Sequence, residues 1–212
     1  MKKCTIVFQG DSVTDGNRIR EGEVKFQGDG LGTLYPFHIA SRLLTDRPDI
    51  EWNIINRAIS GNRIVDLYAR WKIDAINLKP DILSILIGVN DTWHEFSRQN
   101  GVEVPRANRI YHELLEWTRQ CLPNVKFVLM TPFVLPFGAV GPDWPAEVAA
   151  RCANVKALAK EFDAILIDCQ QLFDDATKRA PQEYWLRDGV HPTVAGQQLL
   201  ADAWLKATVS LF

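Results

Sequence analysis

The sequence predicts a three-layer α/β/α sandwich on about five parallel strands, and three observations predict it. Short, almost wholly apolar runs, suited to strands covered on both faces, alternate with segments of helical period along the 212 residues. The composition is that of an ordinary globular chain, 47% hydrophobic and 24% charged. Segments rich in Gly, Asp, Asn and Ser follow several of the apolar runs, on the edge where a parallel sheet gathers its ligand-binding loops.

In chain order, the strands are expected over Thr5–Phe8, Trp52–Asn56, Ile82–Ile87, Lys126–Met130 and Ala164–Ile167. Between them, apolar residues recur at helical spacing. Leu34, Phe37, Ala40, Leu43 and Leu44 form one face, and Ile64, Leu67, Tyr68, Trp71 and Ala75 a second. Ile110, Leu114, Trp117 and Cys121 make a third, and Val148, Cys152, Val155, Ala159 and Phe162 a fourth. Ala195, Leu199, Ala203 and Trp204 mark a final helix. With no repeat, low-complexity tract or linker, residues 1–212 are expected to form a single domain.

Charge and cysteine usage exclude several classes. The 24 basic and 26 acidic side chains leave a net charge of −2, which offers no electrostatic footprint for nucleic acid or an anionic membrane. Cys4, Cys121, Cys152 and Cys169 are scattered, with no C-x-x-C pair and no Cys/His cluster; each is expected reduced in the core. Met1-Lys2-Lys3 begins like a leader, but Gln9-Gly10-Asp11 interrupts the apolar run at once, so the chain is expected in the cytoplasm. The most apolar stretch, 82–89, is too short to span a bilayer.

Four polar segments carry candidate chemistry. Ser12, after the first strand, is a nucleophile only if a base takes its proton. Of the four histidines, His191 alone has an aspartate three residues earlier in a Gly-containing loop. Asp188 can fold back to accept the Nδ1 proton, leaving Nε2 for Ser12. The oxyanion formed on attack needs donors, and the backbone N–H groups of Ser12 and Gly61 with the Asn90 side-chain amide are the candidates. Asp11 reads as a turn-stabilising carboxylate, and Asp15 and Asp91 lack metal-ligand spacing and read as structural.

Taken in order, Gly10-Asp11-Ser12, Gly61, Gly88-x-Asn90-Asp91 and Asp188-x-x-His191-Pro192 resemble the four blocks of the SGNH (GDSL-like) hydrolases and span nearly the whole chain. The resemblance implies a flavodoxin-like fold and a serine esterase mechanism with no metal or cofactor. In it Ser12 is the nucleophile, His191 the base and Asp188 its orienter, with Ser12, Gly61 and Asn90 forming the oxyanion hole. Gly10 to Asp15, Ile59-Ser60-Gly61-Asn62, Ala69-Arg70-Trp71, Ile87 to Trp93 and Met130 to Phe133 further resemble the small intracellular acetylxylan esterases of bacteria. That subgroup implies acetylated xylan or xylo-oligosaccharides as substrate, an acetyl-serine intermediate and a homo-oligomer.

Other readings stand beside this one. A lysophospholipase or thioesterase of the same family would use the same machinery. A flavodoxin-like module could cradle an FMN phosphate at 12–16, though Asp11 and Asp15 would repel the anion. Trp93 and Trp185 flank the catalytic segments and either stack on sugar or pack in the core. His94 is at best a lining residue, and His38 and His112 belong to helices. The loop from Thr131 to Pro145, stiffened by four prolines (132, 136, 142, 145), either walls the acyl pocket or forms a subunit contact.

Overall fold

The computed structural model describes residues 1–20 and 30–212. Five strands form one parallel sheet in the order β2-β1-β3-β4-β5. They are β1 (Lys2–Gly10), β2 (Ile50–Asn56), β3 (Ile82–Leu86), β4 (Lys126–Met130) and β5 (Ile165–Ile167). All five expected strands are present, with ends moved by a few residues. The helices are α1 (Ser12–Asp15), α2 (Tyr35–Asp46), α3 (Ile64–Asp74), α4 (Val89–Arg98), α5 (Val104–Cys121), α6 (Trp144–Glu161), α7 (Cys169–Ala176), α8 (Gln182–Trp185) and α9 (Val194–Thr208).

Side chains alternate between the two faces of the sheet, as strand geometry requires. Ile6, Phe8, Ile82, Leu86, Val128 and Met130 pack with α2, α7 and α9 on one side. Val7, Leu83, Ile85, Phe127 and Leu129 pack with α3, α5 and α6 on the other. This is the flavodoxin-like three-layer arrangement. In this strand order the chain reverses direction across the sheet between β1 and β3, where an open parallel sheet leaves a crevice for ligand.

Several expected helix faces are rotated. On α2 the buried side is Tyr35, Ile39, Ala40 and Leu43, while Phe37 is exposed. On α5 it is Tyr111, Leu114, Leu115 and Thr118, and Cys121 is exposed rather than in the core. On α9 it is Leu200, Ala201 and Trp204, with Leu199 and Ala203 half-buried. Tyr68 on α3 is also exposed. On α5 and α9 the reason is polar. Small and polar side chains such as Thr118 and Gln197 enter the interior because they find hydrogen-bond partners, which shifts the buried stripe off the apolar count.

Trp204 joins the two ends of the chain. Its ring lies 5.6 Å from that of Phe8, and its indole N–H donates to the Ser84 hydroxyl at 3.0 Å. Removing this side chain leaves a cavity beneath the central strands. Trp204→Ala should therefore cost about 3–5 kcal/mol of stability. Trp204→Phe, which keeps most of the packing and loses the hydrogen bond, should cost about 1–3 kcal/mol; urea melts of both variants measure the difference.

Candidate active site

Ser12 is the first residue of α1, directly after β1. Asp11 caps that turn, its carboxylate accepting from the N–H of Val13 at 3.0 Å. The turn is held from two further sides. Thr14 shares a hydrogen bond with the Tyr35 hydroxyl at 3.1 Å, and the Asn56 amide at the end of β2 donates to the Thr14 carbonyl at 2.7 Å. The nucleophile thus sits on a short, fixed turn above a buried strand. The Val13, Thr14 and Asp15 N–H groups all turn back to Asp11, so 12–16 is a helical turn rather than a phosphate cradle.

The partner histidine arrives from a small clasp between α8 and α9. Leu186 and Pro192 form an antiparallel bridge, and the Arg187 N–H donates to the His191 carbonyl at 2.8 Å. Within the clasp, Asp188 Oδ1 accepts from the N–H groups of Val190 (3.0 Å) and His191 (2.8 Å). Asp188 Oδ2 lies 2.8 Å from His191 Nδ1, and His191 Nε2 lies 2.9 Å from Ser12 Oγ. Because an ionised carboxylate only accepts, Nδ1 carries the proton and Nε2 faces the hydroxyl as acceptor. Burial pushes the Asp188 carboxyl up, but the donors from His191 and Val190 outweigh it and hold the group below the usual aspartate value.

The loop 131–145 braces this clasp from below. Leu135 N–H donates to the Gly189 carbonyl at 2.8 Å and Ala139 N–H to the Asp188 carbonyl at 2.9 Å. Gly189 has φ +88°, and a Cβ there would lie 2.4 Å from the Phe137 carbonyl oxygen. Only glycine fits this close approach of two backbones. Neither of the two roles weighed for the loop included this one: its buried Phe133 to Leu135 segment is a backstop for the aspartate.

Donors for an oxyanion come together from three loops. The N–H groups of Ser12 and Gly61 are bonded to no other described residue, and Gly61 has φ +84°. Asn90, on the first turn of α4, spends one amide proton on the Asn62 carbonyl at 3.2 Å and keeps the other. Asp15 ties the loop after β2 to the nucleophile turn. Its Oδ2 accepts from the N–H (2.8 Å) and hydroxyl (2.9 Å) of Ser60 and from Arg20 (2.7 Å). Burial pushes the Asp15 carboxyl up, and these donors pull it below its ordinary value.

A recess of about 240 Å³ opens beside the nucleophile, with Ser12, Asn17, Thr33, Ser60, Arg187 and His191 among its walls. Trp93 is half-buried, with its ring 5.7 Å from the His191 ring and 5.2 Å from that of Trp144. Trp185 is 8% exposed, donates to the Ala180 carbonyl and lies under the Arg179 guanidinium, and neither tryptophan forms a wall of the recess. His94 is half-buried, and burial lowers its pKa. His38 bonds Gln198, and His112 bonds Glu161 on the outer side of α5. Among the described residues no group of three or more His, Cys, Asp or Glu gathers to hold a metal, and no helix is long and apolar enough to cross a membrane.

Residues 8–199 match the model of the GDSL-like lipase/acylhydrolase family. An acetylxylan esterase of Geobacillus stearothermophilus is 36% identical over 208 residues, covering 95% of this chain and 92% of that protein. A crystal structure from Parabacteroides merdae, assigned as a GDSL-like lipase, superposes with a TM-score of 0.93 at 40% identity, covering 98% of this chain and 96% of the other. Structures of the Geobacillus acetylxylan esterase superpose with a TM-score of 0.87 at 32% identity, covering 98% and 95%. Three of these are catalytic mutants, with alanine in place of a serine, of a histidine 179 positions later and of an aspartate three positions before that histidine. A further mutant of that enzyme has isoleucine in place of the tryptophan immediately before the aspartate.

Two carboxyls beneath the site carry a pH signature. Burial pushes Asp91 up to about 7 against the pull of Arg151 and the Ile64 N–H, and burial likewise raises Asp11 to about 7, with the Asp91 charge adding to the rise. A native carboxyl that keeps its proton above the value of the unfolded chain makes the native state bind more protons. Each group therefore lowers stability as pH rises from about 4 to about 7. Asp91→Asn keeps an acceptor for the Ile64 N–H and cannot ionise, so urea melts between pH 4.5 and 7.5 should show a flatter stability profile than wild type.

Proposed function

Because the chain belongs to the GDSL-like lipase/acylhydrolase family, whose members hydrolyse carboxylic esters, we propose that it removes O-acetyl groups from carbohydrate, acetylated xylan or xylo-oligosaccharides in the first place, through an acetyl-serine intermediate. The observation that carries the reading is the continuous hydrogen-bonded line from Asp188 through His191 to Ser12, with bonds of 2.8 and 2.9 Å. The three residues have the spacings of the serine, aspartate and histidine whose replacement defines the catalytic mutants of the Geobacillus acetylxylan esterase. We further propose that residues 1–212 act as one hydrolase domain.

Ester hydrolysis follows from this arrangement in ordinary steps. Ser12 Oγ attacks the acetyl carbonyl carbon while His191 Nε2 takes its proton, and Asp188 stabilises the imidazolium that forms. The carbonyl oxygen becomes an oxyanion facing the N–H groups of Ser12 and Gly61 and the free amide proton of Asn90. His191 returns the proton to the sugar oxygen as the C–O bond breaks, which frees the alcohol and leaves acetyl-Ser12. Water, deprotonated by the same imidazole, attacks the acetyl carbon; the bond to Ser12 Oγ breaks, the imidazolium returns the proton to Oγ, and acetate leaves. Trp93, against the His191 ring, is placed to offer an aromatic face to the departing sugar.

Acyl selectivity tests the reading directly. With p-nitrophenyl esters of increasing chain length, acetate should be the preferred acyl group, and acetylated xylo-oligosaccharides should release acetate. Preference for long acyl chains or for thioesters would favour the lysophospholipase or thioesterase alternative and remove the acetylesterase reading.

The assigned roles make separate demands on kinetics. Ser12→Ala should abolish both turnover and labelling by an organophosphate, with thermal stability close to wild type. Asp188→Asn should fold and lower kcat by roughly three to four orders of magnitude. Asn90→Ala should lower it by roughly 10²–10³, the usual loss for one oxyanion donor. A near-normal kcat in Asp188→Asn would falsify the assigned triad.

A further inference from the structure

Arg187 stands at the mouth of the recess that holds Ser12 and His191, and its side chain has no part in the catalytic line. Its backbone N–H fixes the clasp by donating to His191, but its exposed guanidinium has neither an ion pair nor a hydrogen bond among the described residues. Two carboxylates of the site are already committed. Asp188 is filled by Val190 and by both donors of His191, and Asp15 by Ser60 and Arg20. Among the described residues no acidic side chain lines the recess, and Arg187 is the one Lys or Arg there. Asn17, exposed on the opposite rim and held at φ +57°, adds an amide that bonds no other described residue.

The same place in a relative is differently furnished. The Geobacillus acetylxylan esterase has a tryptophan immediately before its catalytic aspartate, where this chain has Arg187 before Asp188. An indole at such a mouth offers an apolar face to a neutral sugar. An unpaired guanidinium offers a planar fork of donors and a permanent positive charge, suited to a carboxylate held by two parallel hydrogen bonds. One cation with one amide matches a singly charged carboxylate, whereas a phosphate dianion is ordinarily met by several cations or a backbone cradle.

We propose that this site takes an O-acetylated carbohydrate bearing a carboxylate, a sugar acid or an oligosaccharide carrying one, with Arg187 receiving the carboxylate and setting specificity. The inference rests on the acetylesterase reading and names its substrate class. The contact lies in ground-state binding, remote from the reacting carbonyl, so it acts mainly on KM.

The test uses the intact protein and two matched probes, the O-acetylated methyl glycoside of a uronic acid and its neutral uronamide, with acetate release as the readout. The wild type is expected to prefer the acid by roughly 5- to 30-fold in kcat/KM, between what an exposed ion pair and a bidentate charged contact give. The preference should sit in KM and shrink as salt is raised. Arg187→Gln should bring the ratio close to one, Arg187→Lys should restore part of it, and Arg187→Glu should invert it. Equal use of the two probes by wild type, or a preference that survives in Arg187→Gln, overturns the inference while leaving the acetylesterase reading intact. Failure to release acetate from either probe or from acetylated xylo-oligosaccharides overturns both.

Discussion

The candidate site depends on one hydrogen bond, 2.9 Å long, between side chains 179 positions apart. Such a bond contributes about 0.5–1.5 kcal/mol and cannot by itself bring the two ends of a chain together. The core does that work. Phe8, four residues before the nucleophile, packs against Trp204 of the last helix and Tyr35 of α2, and all three are fully buried. Once those rings are seated, β1 and the start of α9 have fixed positions, and the clasp before α9 can present His191 only over the end of β1. The weak polar contact is thus preorganised by strong apolar ones. This is why the nucleophile turn and the histidine clasp are also tied internally, by Asp11, Asn56 and the 135–139 backbone.

Four aspartates lie in and under the site, and their surroundings divide the labour. Asp188 meets three donors and stays ionised, which a partner for an imidazolium requires. Asp15 also meets several donors and serves as a joint between the loops after β1 and β2. Asp11 and Asp91 are more deeply enclosed and meet fewer donors, so burial wins and raises both to about 7. Raised in this way, the two carboxyls carry less negative charge at neutral pH than ordinary aspartates would. The one carboxylate that must be charged is set on the far side of the imidazole.

Much of this was legible in the sequence, because the information was local. Each strand is a short apolar run, and each polar block directly follows a strand or precedes the last helix, so knowing the fold class places Ser12, Gly61 and Asn90 on one edge. Asp188 and His191 are three residues apart, and a single turn decides their geometry. What could not be read depends on partners distant in sequence. Thr118 is buried because the indole of Trp71 reaches it, and the faces of α2 and α9 shift where Gln197 meets the Tyr35 N–H. Trp185 looked like a lining residue from its place beside Asp188, yet its indole turns inward to the Ala180 carbonyl. The backstop role of 135–139 runs through main-chain bonds to Asp188 and Gly189, which no pattern of side chains announces.

The division between what is fixed and what is free also explains how one machine can serve different substrates. Ser12, His191 and Asp188 are each held by backbone or core contacts that tolerate little change. The rim residues Asn17 and Arg187 contribute main-chain geometry to the same loops while their side chains reach solvent. At Arg187 the bond that closes the clasp is made by the N–H, so any L-residue but proline can close it. Replacing the side chain there alters charge and shape at the entrance without moving the imidazole by way of that bond. A relative with tryptophan and this chain with arginine can therefore share the catalytic line and differ in what they admit to it.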